Sequence, residues 1–142
     1  MWRSVSVDPD TPYADGKWRF MMYDTEFSSG FSNDKRCSAD RDSLADVIGK
    51  YPLFASALKA EEFRELFLVS LKRIGSEDLA RERVNETLDL WQKEWQRLMD
   101  DHFQRFGDHL KRWTKEAELT REFYAERYDF IIPYAEERLK QY

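Results

Sequence analysis

The chain has 142 residues and a formal net charge of −5, with 42% hydrophobic, 15% aromatic and 36% charged residues. This length indicates one domain or part of one. The apolar and aromatic content is sufficient for a packed core and excludes a disordered chain. The acidic balance argues against a nucleic-acid partner, because phosphate affinity requires a basic surface. No apolar run is long enough to span a bilayer or to form a signal peptide, so no membrane partner is expected.

The first part of the chain is typical of β-structure. Strand formers at Trp2, Val5 and Val7 predict a strand over 2–7, and alternating large side chains predict a second over 17–24. The intervening residues, 8–16, are rich in turn formers and predict a hairpin with a long loop. Because the chain opens inside a predicted strand, we expect Met1 to be an internal residue of a longer protein.

The second predicted strand ends in two carboxylates, Asp24 and Glu26, followed by Ser28, Ser29 and Gly30. On an extended strand these two acidic side chains lie on the same side. Mg²⁺ prefers oxygen ligands and typically takes one or two carboxylates, completing its shell with phosphates and water. Two interpretations remain open from the spacing alone. The pair is either a metal site at a strand tip, or two acids that solvate the end of a strand.

The remainder is predicted to be helical after the polar run over 28–42. Asp42 or Ser43 caps a short helix through Ile48, and Pro52 begins a second through Leu58. Apolar residues at 3–4 spacing predict a helix over 61–74, ended by Gly75.

A fourth helix is predicted from a cap at Ser76 or Asp78 to about Phe106, closed by Gly107. Its apolar stripe includes Trp91 and Trp95, which we interpret as core, or in part as a docking patch if a missing N-terminal half covers it. Trp113 is predicted to lie in a connector. The last helical stretch starts near Lys115 and is expected to kink or split at Pro133.

These patterns predict a mainly α fold, with an N-terminal β-hairpin packed on a bundle of four to six helices. Three segments are expected: a hairpin with a metal-binding strand end over 1–31, a polar loop over 32–42, and a helical domain over 43–142.

The segment "MWRS" is followed, after the predicted loop, by "GKWRFMMYDTEFSSGF". These two segments are similar to a W-R strand and a G-x-W-R strand ending in Asp-x-Asp, and through them the sequence resembles the spore-coat protein H (CotH-type) kinase family of bacteria. The helical segments "EEFRELFLVSLKRI", "RERVNETLDLWQKEW" and "HLKRWTKEAELTREFYAERYDFI" are also similar to family segments, more loosely.

This resemblance implies the C-terminal part of an atypical protein kinase that transfers phosphate from ATP to Ser in a protein substrate, in the spore coat or secreted. It implies Mg²⁺ or Mn²⁺ held by Asp24 and Glu26, where Glu26 replaces the family's usual Asp. The family's catalytic-base Asp has no match here, and the five separated glycines form no phosphate-binding loop. We therefore assign no catalytic residue and expect the chain to be inactive without an N-terminal nucleotide-binding half, which would be its partner.

The rival interpretation is a non-catalytic helical interaction or scaffold module, in which Glu26 marks a lost metal site. An upstream reading frame continuous with Met1 would favour the kinase, and a natural stop before Met1 would favour the module.

Several other residues have alternative roles. His102 and His109 are either metal ligands or histidines with a surface or packing role, and we favour the latter. Cys37 is either a reactive thiol or a bystander, and we favour the bystander. The acidic residues over 8–15 form either a Ca²⁺ loop or a turn, and we favour the turn. For Arg127 and the Arg112–Trp113 pair we favour structural support of the predicted sheet, through a buried ion pair or stacking on an aromatic ring, over substrate binding.

Overall fold

The computed structural model describes residues 1–19, 21, 28–107 and 110–142. The described part is mainly helical, as predicted. Short 3-10 turns at Phe31–Asn33 and Lys35–Cys37 precede five α-helices: α1 (Ser43–Lys50), α2 (Pro52–Ala57), α3 (Glu61–Arg73), α4 (Arg81–Phe106) and α5 (Leu110–Leu139). No helix in this part of the chain is both long and apolar enough to cross a membrane.

The predicted N-terminal β-hairpin is wrong. Within residues 1–19 and 21 the structure contains no strand, and the only pairing is an isolated antiparallel bridge between Trp2 and Arg19. These two residues exchange backbone hydrogen bonds of 2.9 Å in both directions. The rest of the predicted second strand, Phe20 and residues 22–24, lies outside the described residues.

Local hydrogen bonds explain why the bridge does not extend toward the turn. The next hydrogen-bonded antiparallel pair would join Ser4 to Lys17. Instead the Lys17 amide donates to a carboxylate oxygen of Asp15 at 3.1 Å, and the Ser4 hydroxyl accepts from the Gly16 amide at 3.0 Å. Side chains that bond neighbouring backbone groups in this way compete with a β-ladder.

The starts of α1 and α2 agree with the sequence signals. The Asp42 carboxylate accepts a hydrogen bond from the Ala45 amide at 3.0 Å and caps α1. Pro52 occupies the first turn of α2, where its missing N–H leaves no intrahelical bond unmade.

Gly75 does not end α3, contrary to prediction. The chain continues as a π-helical turn over Ile74–Asp78, closed by a 2.8 Å hydrogen bond from the Leu79 amide to the Ile74 carbonyl. A Cβ on Gly75 would lie 2.5 Å from a ring carbon of Tyr128 in α5. The glycine therefore permits close helix packing at this point.

The long helices depart from prediction in two places. Helix α4 starts at Arg81 without a side-chain cap from Ser76 or Asp78, although it ends as expected at Gly107, whose φ is 83°. Helix α5 includes Trp113, which was predicted to lie in a connector, and passes through Pro133 without being split.

The core is small and centres on α5, which packs against α1, α3 and α4. Its buried aliphatic residues come from several elements: Leu44, Leu58, Val84, Ala117, Ile132, Ala135 and Leu139. Beside it, the rings of Phe54, Phe63 and Phe67 form a cluster with centroids 5.4 to 6.5 Å apart. The prediction that Trp91 and Trp95 are core residues is wrong, because they are 48% and 50% exposed.

Candidate functional site

The two carboxylates predicted to bind metal, Asp24 and Glu26, lie outside the described residues, as does His109. Their metal role stays a prediction. Within residues 1–19, 21, 28–107 and 110–142 there is no group of three or more His, Cys, Asp or Glu side chains that could hold a metal ion. What the structure does describe is the segment that follows the acidic pair, residues 28–42, and its contacts with α5.

The 28–42 segment begins with two close contacts to α5. The Ser29 hydroxyl oxygen lies 3.0 Å from the phenolic oxygen of Tyr124, with Ser29 in a left-handed conformation at φ 55°. Gly30 follows at φ 80°, and a Cβ there would lie 2.7 Å from the Leu119 carbonyl oxygen. Only glycine fits such an approach of two backbones without a shift.

Arg127 holds the other end of the segment. Its Nη1 donates to the carbonyl oxygens of Ala39 at 2.7 Å and Arg41 at 2.6 Å, and its Nη2 donates to the Ser43 hydroxyl at 2.6 Å. The guanidinium carbon lies 5.8 Å from the centre of the Phe123 ring. Arg127 thus has a structural role, but it supports the 28–42 segment and not the predicted sheet, through backbone carbonyls and an aromatic ring instead of an ion pair.

Three further α5 side chains bind the segment, and the sequence analysis missed them. The Ser32 amide donates to a Glu116 carboxylate oxygen at 2.9 Å, and the Tyr134 hydroxyl donates to the Asp40 carbonyl at 2.9 Å. Arg138 Nε donates to Asp42 at 2.8 Å.

A sequence signal for these contacts exists. One face of α5 is formed by positions that recur at three- and four-residue steps: 116, 120, 123, 127, 131, 134 and 138. The face mixes charged and aromatic residues, so a search for an apolar stripe does not detect it.

An apolar cavity of about 440 Å³ lies between α1, α3, the π-helical turn and α5. Rings of Phe54, Phe67 and Tyr128 line it, and Ser29 and Arg127 stand at its polar side. Its size falls within the range of small-molecule sites. Its lining offers mainly apolar contact with a few polar groups, and none of the described residues that line it is a Cys, His, Lys, Asp or Glu.

The acidic residues of the 8–15 stretch form turns, as favoured over a Ca²⁺ loop. The Asp8 carboxylate accepts from the Asp10 amide at 3.0 Å and from the Thr11 hydroxyl at 2.7 Å. Asp15 binds the Arg19 guanidinium at 2.8 and 2.9 Å. That hydrogen bond, followed by one from the Lys17 amide, lowers the pKa of Asp15 to about 2.

The comparisons with known proteins give one match. A family model described as CotH kinase protein matches residues 7–131, which includes both Asp24 and Glu26. No curated protein and no solved structure matches the chain.

Proposed function

The chain belongs to the CotH kinase family, and on this premise we propose that it is the C-terminal, metal-binding part of a kinase that phosphorylates Ser in proteins. Asp24 is its principal metal ligand and Glu26 the second, for Mg²⁺ or Mn²⁺ bound together with ATP. The family match over residues 7–131 is the observation that carries this proposal.

The contacts of the 28–42 segment support a metal role for the residues just before it. Phosphoryl transfer depends on positioned phosphates and on metal ions that neutralise charge. A metal ligand must therefore be held in place. Ser29 is hydrogen-bonded to α5 and Gly30 packs closely against it, three and four residues after Glu26. These contacts hold the described chain from residue 29 onward.

The composition argues that this chain transfers no phosphate by itself. It contains no glycine-rich phosphate loop and no match for the family's catalytic-base Asp. The proposed contribution is the metal site and its helical support, with the nucleotide contacts and the base supplied by an N-terminal half. From the family resemblance we propose that such a protein acts in a bacterial spore coat or outside the cell.

Thermal unfolding in Mn²⁺, with and without ATP, tests the metal site. A ligand at 100 times its dissociation constant adds about 2.7 kcal/mol of stability, which at this size raises Tm by several degrees. We expect that rise in the wild type and its loss in Asp24→Asn. Asp10→Asn, the same change in an exposed turn, serves as the control and keeps the response.

Glu26→Asp restores the family's usual residue and is expected to increase the response to Mn²⁺. An absent response in the wild type, or one that persists in Asp24→Asn, contradicts the metal role.

A second function, a non-catalytic interaction module, is favoured by the outer face of α4. Trp91 and Trp95 stack with ring centroids 5.9 Å apart while about half exposed, and Leu98 and Phe106 on the same helix are more exposed still. Contiguous exposed apolar residues are typical of interaction sites. If Mn²⁺ leaves Tm unchanged, this function becomes the better one.

A further inference from the structure

A small second cavity, of about 170 Å³, opens between the 28–42 segment and α5. Three arginines line it, Arg36, Arg41 and Arg127, together with four serines that include Ser28 and Ser29. Hydroxyl and guanidinium groups both donate hydrogen bonds, so this lining is suited to an anion.

The charge of Arg127 has no direct counter-ion in the described part of the chain. Its three hydrogen bonds go to two carbonyls and a hydroxyl, all neutral acceptors. Asp42 and Asp40 act on it only from a distance, and burial, the larger effect, lowers the pKa of this half-buried guanidinium. Arginine nevertheless stays charged. A positive charge that is partly removed from water and paired only with neutral groups favours an anion beside it.

The other two arginines already take part in ion pairs, with which an anion has to compete. Arg36 pairs with Asp34 and Arg41 with Asp46, each at 2.6 Å, and both Nε and Nη2 of Arg36 donate to the Asp34 carboxylate. All four side chains are partly exposed, where an ordinary ion pair contributes about 0–1 kcal/mol. The bidentate pair is the stronger of the two, because the Arg36 hydrogen bonds lower the pKa of Asp34 to about 2. An anion in the cavity therefore draws Arg41 toward it at low cost and competes more with Asp34 for Arg36.

The size and the donor type together favour phosphate. At about 170 Å³ the cavity has more room than one water molecule needs and less than the roughly 300–1,000 Å³ of sites for whole small molecules, which suits an ion the size of phosphate. The planar fork of arginine matches the oxygens of a phosphate in a bidentate manner.

We propose that this cavity binds a phosphate group through Arg36, Arg41 and Arg127, assisted by the hydroxyls of Ser28 and Ser29. The phosphate is either free or carried as a monoester on a serine side chain. The proposal stands on the 28–42 segment and α5 and does not depend on the metal site of Asp24 and Glu26.

Thermal unfolding in inorganic phosphate, without divalent metal and at constant ionic strength balanced with chloride, tests the site. We expect a saturable rise in Tm for the wild type. Arg36→Gln should weaken the apparent affinity about tenfold, as expected for one lost hydrogen bond between charged groups. Lys35→Gln is the matched control, because it removes the same charge from the neighbouring residue, which does not line the cavity.

Arg41→Gln provides a second, independent variant with the same expected loss. Repeating the titration with O-phosphoserine separates the two sources: tighter binding than inorganic phosphate indicates a monoester, and weaker binding indicates the free ion. An equal response to chloride alone, or equal phosphate affinity in Arg36→Gln and Lys35→Gln, would overturn the proposal. Because no metal is present, failure of the Asp24 experiment leaves this result unaffected.

Discussion

The Ser29 hydroxyl oxygen lies 3.0 Å from the phenolic oxygen of Tyr124, a contact between residues 95 positions apart in the chain. One helical turn later on the same face of α5, Arg127 binds the carbonyls of Ala39 and Arg41. The position of the 28–42 segment therefore depends on a helix far from it in sequence.

Arg127→Gln should destabilise the protein by about 1.5–3 kcal/mol, because it removes charged hydrogen bonds and leaves two carbonyl oxygens without their donor. Urea unfolding measures this change. Arg97→Gln, at an exposed position on α4, is the control and should stay within about 0.5 kcal/mol of the wild type. Equal stability of the two variants would contradict a supporting role for Arg127.

Gly75→Ala should destabilise by about 1–3 kcal/mol, because the added Cβ would lie 2.5 Å from the Tyr128 ring. Gly49→Ala is the matched control: nothing lies within 4 Å of a Cβ in that α1 position, so alanine should stabilise by about 0.5–1 kcal/mol. The penalty at Gly75 should shrink in a Tyr128→Leu background. If Gly75→Ala destabilises the Tyr128→Leu variant as much as the wild type, the penalty arises from the π-helical backbone and not from the Tyr128 ring.

Leu58→Ala should cost more than Trp91→Ala, although tryptophan is the larger residue. Leu58 is fully buried, and truncation of such a leucine costs about 2–5 kcal/mol. Trp91 is about half exposed, so its truncation leaves no closed cavity. The destabilisation should therefore be less than about 3 kcal/mol, the lower end of the range for truncating a buried tryptophan. Chemical unfolding measures the free energy of unfolding of both variants. A larger loss for Trp91→Ala than for Leu58→Ala would contradict the exposure of Trp91 and place it in a buried interface.

The Asp15 carboxyl should titrate near pH 2 in an NMR measurement of its carboxyl carbon, because the Arg19 hydrogen bond lowers its pKa to about 2. Its folded pKa is below the ordinary value of 3.8, so its contribution to stability is present above about pH 4 and is lost as the pH falls toward 2. Arg19→Gln should return the pKa toward its ordinary value. Arg3→Gln, which removes a charge that does not contact Asp15, should leave it unchanged.

Features that depend on a few neighbouring residues were predictable from sequence. The Asp42 cap, the position of Pro52 and the end of α4 at Gly107 follow from local backbone chemistry, and the structure has all three. Family membership was also recognisable from the sequence, and the match over residues 7–131 confirms it.

Features decided by distant contacts were not predictable. Gly75 looked like a helix end, but the Tyr128 ring requires a glycine within a continuing turn. Pro133 looked like a break, but α5, which packs against α1, α3 and α4, continues past it. The apolar stripe at Trp91 looked like core, but Trp91 is about half exposed on α4. The metal site at Asp24 and Glu26 lies beyond the described residues and remains a prediction.

The dependence of the 28–42 segment on α5 has a consequence during synthesis. The partners in these hydrogen bonds are 84 to 96 residues apart. At 5–20 residues per second, α5 emerges roughly 4–20 s after the segment it holds. During that interval the residues beside the acidic pair have none of their α5 partners. We therefore expect them to be the most protease-sensitive part of the nascent chain, and to become protected only as α5 is completed.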